Sequence, residues 1–261
     1  MPRFSANLSM LYPELPFLDR FGAAAADGFK AVEYVGAYDQ DPAALKALLD
    51  RHGLTQALFN LPAGNWAAGE RGIACHPDRI MEFRQGVGRA IEYAKATGCG
   101  QVNCLAGIAP EGYDRSALEL VLIDNLRYAA PRLAEAGIKL LLEPINPRDI
   151  PGFLINSTDH YEHIASAVKH ENLYLQYDFY HMQVVQGDLI PTFLRLQSRI
   201  AHVQIADNPG RNEPGTGEVN YSNIFKALDE AGYAGWVGAE YKPKAGTSAG
   251  LGWFEPWRVK A

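Results

Sequence analysis

Short apolar, β-branched-rich runs alternate with longer stretches of helical period along nearly the whole chain. Strands are predicted over 3–8, 31–35, 55–61, 101–105, 138–143, 173–178, 201–206 and 236–241. These runs have strand length and no helical spacing. Between them, apolar residues recurring every three to four positions predict helices over 17–27, 42–52, 77–97, 116–136, 157–169, 189–197 and 221–231. Asp41 stands as N-cap before Pro42 at the first helical position. Gly28, Gly53, Gly98, Gly137 and Gly232 each follow a helix where a left-handed C-cap belongs.

Strict βα alternation implies a parallel sheet covered by helices. Eight units fill the 261 residues, close to the ~250 that a closed (β/α)8 TIM barrel needs. An open doubly wound sheet is the alternative. However, the turn after the first strand, Ala6-Asn-Leu-Ser-Met-Leu-Tyr12, lacks the glycines of a dinucleotide fold. No linker, charge block or low-complexity stretch divides the chain, so residues 1–261 are read as one α/β barrel domain.

Composition narrows the class. With 24 Lys+Arg against 30 Asp+Glu the net charge is -6, which argues against a nucleic-acid partner held by counterion release. An anionic small molecule needs only local cations and stays open. No apolar run reaches the ~18 residues of a membrane span, and the start carries no signal-peptide pattern. Cys75, Cys99 and Cys104 lack metal-ligand spacing and read as free thiols in a reducing compartment. The expectation is a soluble cytoplasmic protein.

In a barrel the chemistry sits at the C-terminal strand ends. The last four strands end in Glu143, Asp178, Gln204 and Glu240, spaced 35, 26 and 36 residues apart, about one βα unit each. A single acid there is an ordinary rim residue; four oxygen-bearing side chains in register converge on a point. Three converging carboxylates repel, and a divalent cation relieves them. An all-oxygen set suits Mg²⁺ or Mn²⁺ better than Zn²⁺.

These residues, with Asp178-x-x-His181, resemble those of the xylose-isomerase-like barrel superfamily. Longer blocks over 3–11, 60–74, 143–146, 149–153, 176–183, 204–209, 213–218 and 235–243 resemble the hydroxypyruvate isomerase family more closely, from the first strand to the last. The 60–74 and 213–218 blocks are the most specific. The resemblance implies interconversion of hydroxypyruvate and tartronate semialdehyde (2-hydroxy-3-oxopropanoate). Glu143 and Glu240 would be the acid/base pair, with Asp178 and Gln204 joining them around the cation. A 1,2-carbonyl shift moves a proton through an enediolate, either with one glutamate on each face or with one base serving both. Gln204 departs from the sugar epimerases of the superfamily, which offer histidine there; an amide oxygen is a weaker ligand, so modest metal affinity is expected.

A substrate carboxylate needs cations. Arg71, in the loop after the third strand, and Lys242, just past Glu240, are the first candidates, and Arg211 is the third. Against these stand a solvated loop arginine for Arg71 and a local salt bridge for Lys242. His181 is placed to reach a substrate oxygen or a bound water. Asn7 either contacts substrate, orients a ligand or caps its strand. Trp66 and Phe59 either wall the pocket or pack in the core or an interface. His202 faces the same way as Gln204 one layer deeper and reads as a core histidine.

Competing readings keep the barrel. The first is an isomerase or epimerase of a four-carbon oxo acid (2-oxo-tetronate) or a small sugar. Others are a zinc-dependent DNA-repair endonuclease, disfavoured by charge and by few histidines, and a binding protein, which has no use for paired bases. The tail Trp253-Phe-Glu-Pro-Trp257 is expected either to form a homo-oligomer interface or to cover the barrel bottom.

Overall fold

Eight parallel strands close on themselves in chain order. They are β1 (Arg3–Asn7), β2 (Ala31–Tyr34), β3 (Thr55–Asn60), β4 (Gln101–Cys104), β5 (Lys139–Leu142), β6 (Leu173–Asp178), β7 (Ile200–Ile205) and β8 (Trp236–Ala239). β1 pairs with β8 from Arg3↔Trp236 to Ala6↔Ala239, which seals the barrel. The computed structural model describes residues 1–258. The barrel is therefore the fold expected from the alternation of runs.

The outer layer comprises α1 (Arg20–Ala26), α2 (Pro42–His52), α3 (Ile80–Thr97), α4 (Arg115–Glu135), α5 (Thr158–Val168), α6 (Phe179–Val185), α7 (Leu189–Leu196) and α8 (Tyr221–Glu230). Asp41 caps α2 by accepting from the Ala43 amide. Gly53 and Gly98 end α2 and α3 in the left-handed region, at φ 61° and 75°. The element not foreseen is α6. Asp178 closes β6 and at once caps this helix, its Oδ1 accepting from the Tyr180 amide at 2.8 Å. An aspartate followed by Phe179-Tyr-His-Met-Gln-Val-Val185 was the available signal.

Residues Ser248–Trp257 form a 3-10 segment that packs in the outer layer against β1 and α8. Phe254 stacks on Phe29 at 4.5 Å, and Trp253 and Phe225 both meet Phe4 edge-on. The eighth βα unit is completed by this aromatic segment.

Side chains on a strand alternate between barrel interior and helix layer. Phe4 points outward to the aromatic cluster, so Ser5 and Asn7 point inward. The register Asn7↔Glu33, Asp178↔Gln204 and Gln204↔Gly238 places the inward polar residues at neighbouring levels. The interior toward the C-terminal end is consequently polar.

Candidate active site

Glu143 and Glu240 each lie one residue past a strand, and Asp178 ends β6. Glu143 is 4% exposed and Asp178 1%. Donor atoms of Glu143, Asp178 and His181 fall within 4.8 Å of one another, close enough to share a cation. Glu143, Gln204 and Glu240 also line a void of about 20 Å³, the space of a single water-sized occupant. The strand-end residues thus converge as their spacing required.

Burial shapes the acidity. Desolvation and then the neighbouring Glu240 and Asp178 carboxylates push Glu143 well above the usual range. Burial raises Asp178 to about 6 and Glu240 to about 8, with Arg211 opposing in both. Asp178 Oδ2 is buried and accepts no hydrogen bond. An ionised oxygen in that condition is expensive, and a hard cation would satisfy it. The donor set therefore fits a divalent metal.

Amides hold the two glutamates. Asn103 donates to Glu143 Oε2 at 2.9 Å, and Asn7 donates to Glu240 Oε1 at 3.1 Å. Asn7 also accepts from the Ser9 amide at 3.0 Å, so its side chain both meets Glu240 and caps the end of its strand. Gln204 is engaged at both ends of its amide: Oε1 accepts from Gln176 at 2.7 Å, and Nε2 donates to Glu33 at 2.8 Å. His202 lies beneath, fully buried, as the core reading expects. Glu33, its partner at 2.8 Å, was missed by sequence reasoning.

His181 sits one turn into α6. Asn146 Oδ1 accepts from the Asp149 amide, so its Nδ2 faces His181 Nδ1 at 2.6 Å. Nδ1 then accepts, and Nε2 carries the hydrogen toward Asp178 Oδ2, 3.5 Å away. Burial, reinforced by Arg211 and Arg148, holds the imidazole well below its ordinary pKa.

The cations lie at two depths. Arg211 reaches in from the loop after β7, with a guanidinium nitrogen 2.9 Å from Glu240 Oε2 and another 3.1 Å from Asp149. Its backbone is left-handed, at φ 53°. Asp207 organises that loop by accepting from the amides of Gly215, Gly217 and Val219. A Cβ on Gly217 would lie 2.0 Å from the Asn208 carbonyl, which explains the glycine in this block. Lys242 is exposed and makes no ion pair among the described residues. Arg71 stacks over Trp66 at 4.0 Å and donates to the Trp66 and Glu70 carbonyls. Trp66 is 42% exposed, whereas Phe59 belongs to the core at 1%. Arg71, Trp66, Lys242, Arg211, His181, Glu143 and Glu240 line one cavity of about 860 Å³.

Comparison with known proteins agrees with this architecture. The model of the xylose isomerase-like TIM barrel family matches residues 21–257. Hydroxypyruvate isomerase of Escherichia coli is 51% identical over 258 residues, covering 99% of this chain and 100% of that protein. A 2-oxo-tetronate isomerase of Cupriavidus necator is 50% identical over 257 residues, covering 98% and 99%. A solved structure described as an AP endonuclease, family 2, from Brucella melitensis superposes with a TM-score of 0.96. It is 46% identical and covers 99% of this chain and 100% of that one.

Proposed function

The chain belongs to the xylose isomerase-like TIM barrel family, and within it we propose an isomerase that interconverts hydroxypyruvate and 2-hydroxy-3-oxopropanoate. The observation that carries this reading is a pair of glutamates, Glu143 buried and Glu240 half-buried, facing one cavity that also holds cationic side chains. Burial raises the pKa of both, Glu240 to about 8, which makes each carboxylate a stronger base than an exposed one. The relatives at about half identity support the same reaction type.

The isomerisation removes one proton from the hydroxymethyl carbon and delivers one to the former keto carbon. The hydroxyl hydrogen passes from one substrate oxygen to the other. Glu143 and Glu240 are the groups that take and return the carbon-bound proton. Asn103 and Asn7 keep their carboxylates aimed. His181 offers its Nε2–H to a substrate oxygen. Arg211, deep in the site, balances charge building on the enediolate oxygens. Arg71 and Lys242, at the cavity wall, receive the substrate carboxylate; Trp66 braces Arg71 by stacking.

Glu143, Asp178 and Glu240 would hold a divalent cation, Mg²⁺ or Mn²⁺, with the free lone pair of Gln204 Oε1 as a further oxygen donor. Bound there, it supplies a Lewis acid next to the substrate oxygens.

A four-carbon 2-oxo-tetronate is the second reading, favoured by a cavity of about 860 Å³ that exceeds the needs of a three-carbon acid. A nucleic-acid substrate is disfavoured by the net charge of -6 and by a cation group with a single histidine. The deciding assay follows hydroxypyruvate, 2-oxo-tetronates and pentoses with EDTA, Mg²⁺ or Mn²⁺. Fastest turnover of hydroxypyruvate is expected. Preference for the tetronate transfers the assignment to the second reading, and no turnover of any oxo acid overturns both.

A further inference from the structure

The small void lined by Glu143, Gln204 and Glu240 is also lined by a carboxylate to which the proposed reaction gives no role. Glu33 on β2 is fully buried. Its Oε2 accepts from Ser5 Oγ at 2.6 Å and meets His202 Nε2 at 2.8 Å. Its Oε1 accepts from Asn7 Nδ2 at 3.2 Å and from Gln204 Nε2 at 2.8 Å. Gln101 donates both to the Ala57 carbonyl and to His202 Nδ1, so Nε2 of His202 carries the hydrogen toward Glu33. β8 makes room for the group: a Cβ at Gly238 would lie 2.3 and 2.4 Å from the two Glu33 oxygens. A buried carboxylate with four donors and a glycine cut away beside it is a built feature.

An ionised carboxylate only accepts, and this fixes two amides. Asn7 must turn its NH2 toward Glu33, and the second hydrogen of that NH2 then points at Glu240 Oε1, 3.1 Å away. Asn7 Oδ1, forced to the other side, accepts from the Ser9 amide at 3.0 Å. Gln204 must likewise turn its NH2 to Glu33, which leaves Oε1 to accept from Gln176 Nε2 at 2.7 Å. Two relays start at one carboxylate: one runs through Asn7 and ends as an N–H on Glu240, and the other runs through Gln204 to Gln176.

We infer that Glu33 is a positioning residue that sets the direction of both relays, from Asn7 to Glu240 and from Gln204 to Gln176. The inference rests on the isomerase reading for its kinetic test and on geometry alone for its spectroscopic one. Glu33→Gln keeps the shape but replaces one acceptor by a donor, so one of the four donors loses its partner and an amide turns over. Groups behind a ligand shell commonly change affinity or activity by roughly 10- to 100-fold. The kcat on hydroxypyruvate is expected to fall by that factor in the folded variant, with KM within about twofold. Gly238→Ala displaces the Glu33 carboxylate without changing it and is expected to lower kcat similarly. A variant whose kcat stays within twofold of the parent overturns the inference.

The second readout needs no variant. In the ¹⁵N-labelled parent protein, side-chain NH2 protons of Asn7 and Gln204 are expected to exchange slowly and resonate downfield, as donors to a buried carboxylate do. Rapid exchange of either pair overturns the inference even if both variants fail to fold. An inactive parent protein with slowly exchanging amides would instead count against the isomerase reading and leave the positioning role supported.

Discussion

Glu143→Gln should stabilise the metal-free protein while abolishing most of its activity. Glu143 and Asp178 present oxygens within 4.8 Å of each other. At an effective dielectric constant of about 20, two unit charges at that separation repel by about 3.5 kcal/mol. Arg211, 4.0 Å from Asp178 Oδ2, offsets part of this, and partial protonation of Glu143 relieves more. A net gain of about 1–3 kcal/mol is left for the variant, or about 2–10 °C in Tm for a chain of this size. The amide retains the shape of the carboxylate, and its oxygen still accepts from Asn103. The sign with pH is fixed by the shifts. Carboxylates whose folded-state pKa is raised contribute stability that is full below about 4, the unfolded values, and is lost as pH rises through the folded ones. Those lie at about 6 for Asp178 and about 8 for Glu240, and well above the ordinary value for Glu143. Melting curves in EDTA at pH 5, 7 and 9 should therefore show the parent losing stability with rising pH and the variant losing less. Saturating Mg²⁺ should reverse the order, because ligand binding stabilises the protein that binds it better. A variant that melts below the parent at pH 9 in EDTA, or a gap that does not change with pH, would refute the claim that repulsion dominates this cluster.

Arg71→Ala should raise KM for hydroxypyruvate by roughly 10- to 100-fold, the worth of a charge-assisted hydrogen bond to a carboxylate, with a smaller effect on kcat. Arg71→Lys keeps the charge but not the planar fork over Trp66, so it should fall between the two; an unchanged KM in the alanine variant removes Arg71 from substrate binding. The three cysteines are buried, and desolvation pushes the Cys75 and Cys99 thiols up to about 12. A disulfide reagent at pH 8 should label none of them in the native protein and all three after unfolding; rapid labelling of one thiol in the native state would contradict that burial.

Those predictions draw on two kinds of residue, and they differ in how well the sequence displays them. Strand runs end within two residues of the observed strands because a parallel barrel strand, buried on both faces, reads as a continuous apolar run cut off by its loop. Glu143, Asp178 and Glu240 could be found for the same reason: each is the first charge after such a run. Arg211 was ranked behind Arg71 and Lys242, yet it is the cation that penetrates the acid cluster. Its reach depends on a left-handed backbone and on the Asp207-braced loop, neither of which has a one-dimensional signature. The short helix α6 hid behind the strand it follows, since Asp178 serves as strand end, cap and site residue together. Glu33 was the hardest to see. It sits inside Ala31-Val-Glu-Tyr34, where a lone acid in a four-residue strand reads as an outward-facing residue. Its partner His202 is 169 residues away and Gly238, which makes its space, lies on the last strand. Only closure of the barrel brings them to one level. The closed sheet thus turns three separate local oddities, an acid, a histidine and a glycine on three different strands, into one support for the amide that meets Glu240. Each oddity is costly by itself: an unpaired buried acid, a buried imidazole and a strand glycine all destabilise. They become tolerable together, which is why substitution at any one of the three should be felt at the other two and, through Asn7, at Glu240.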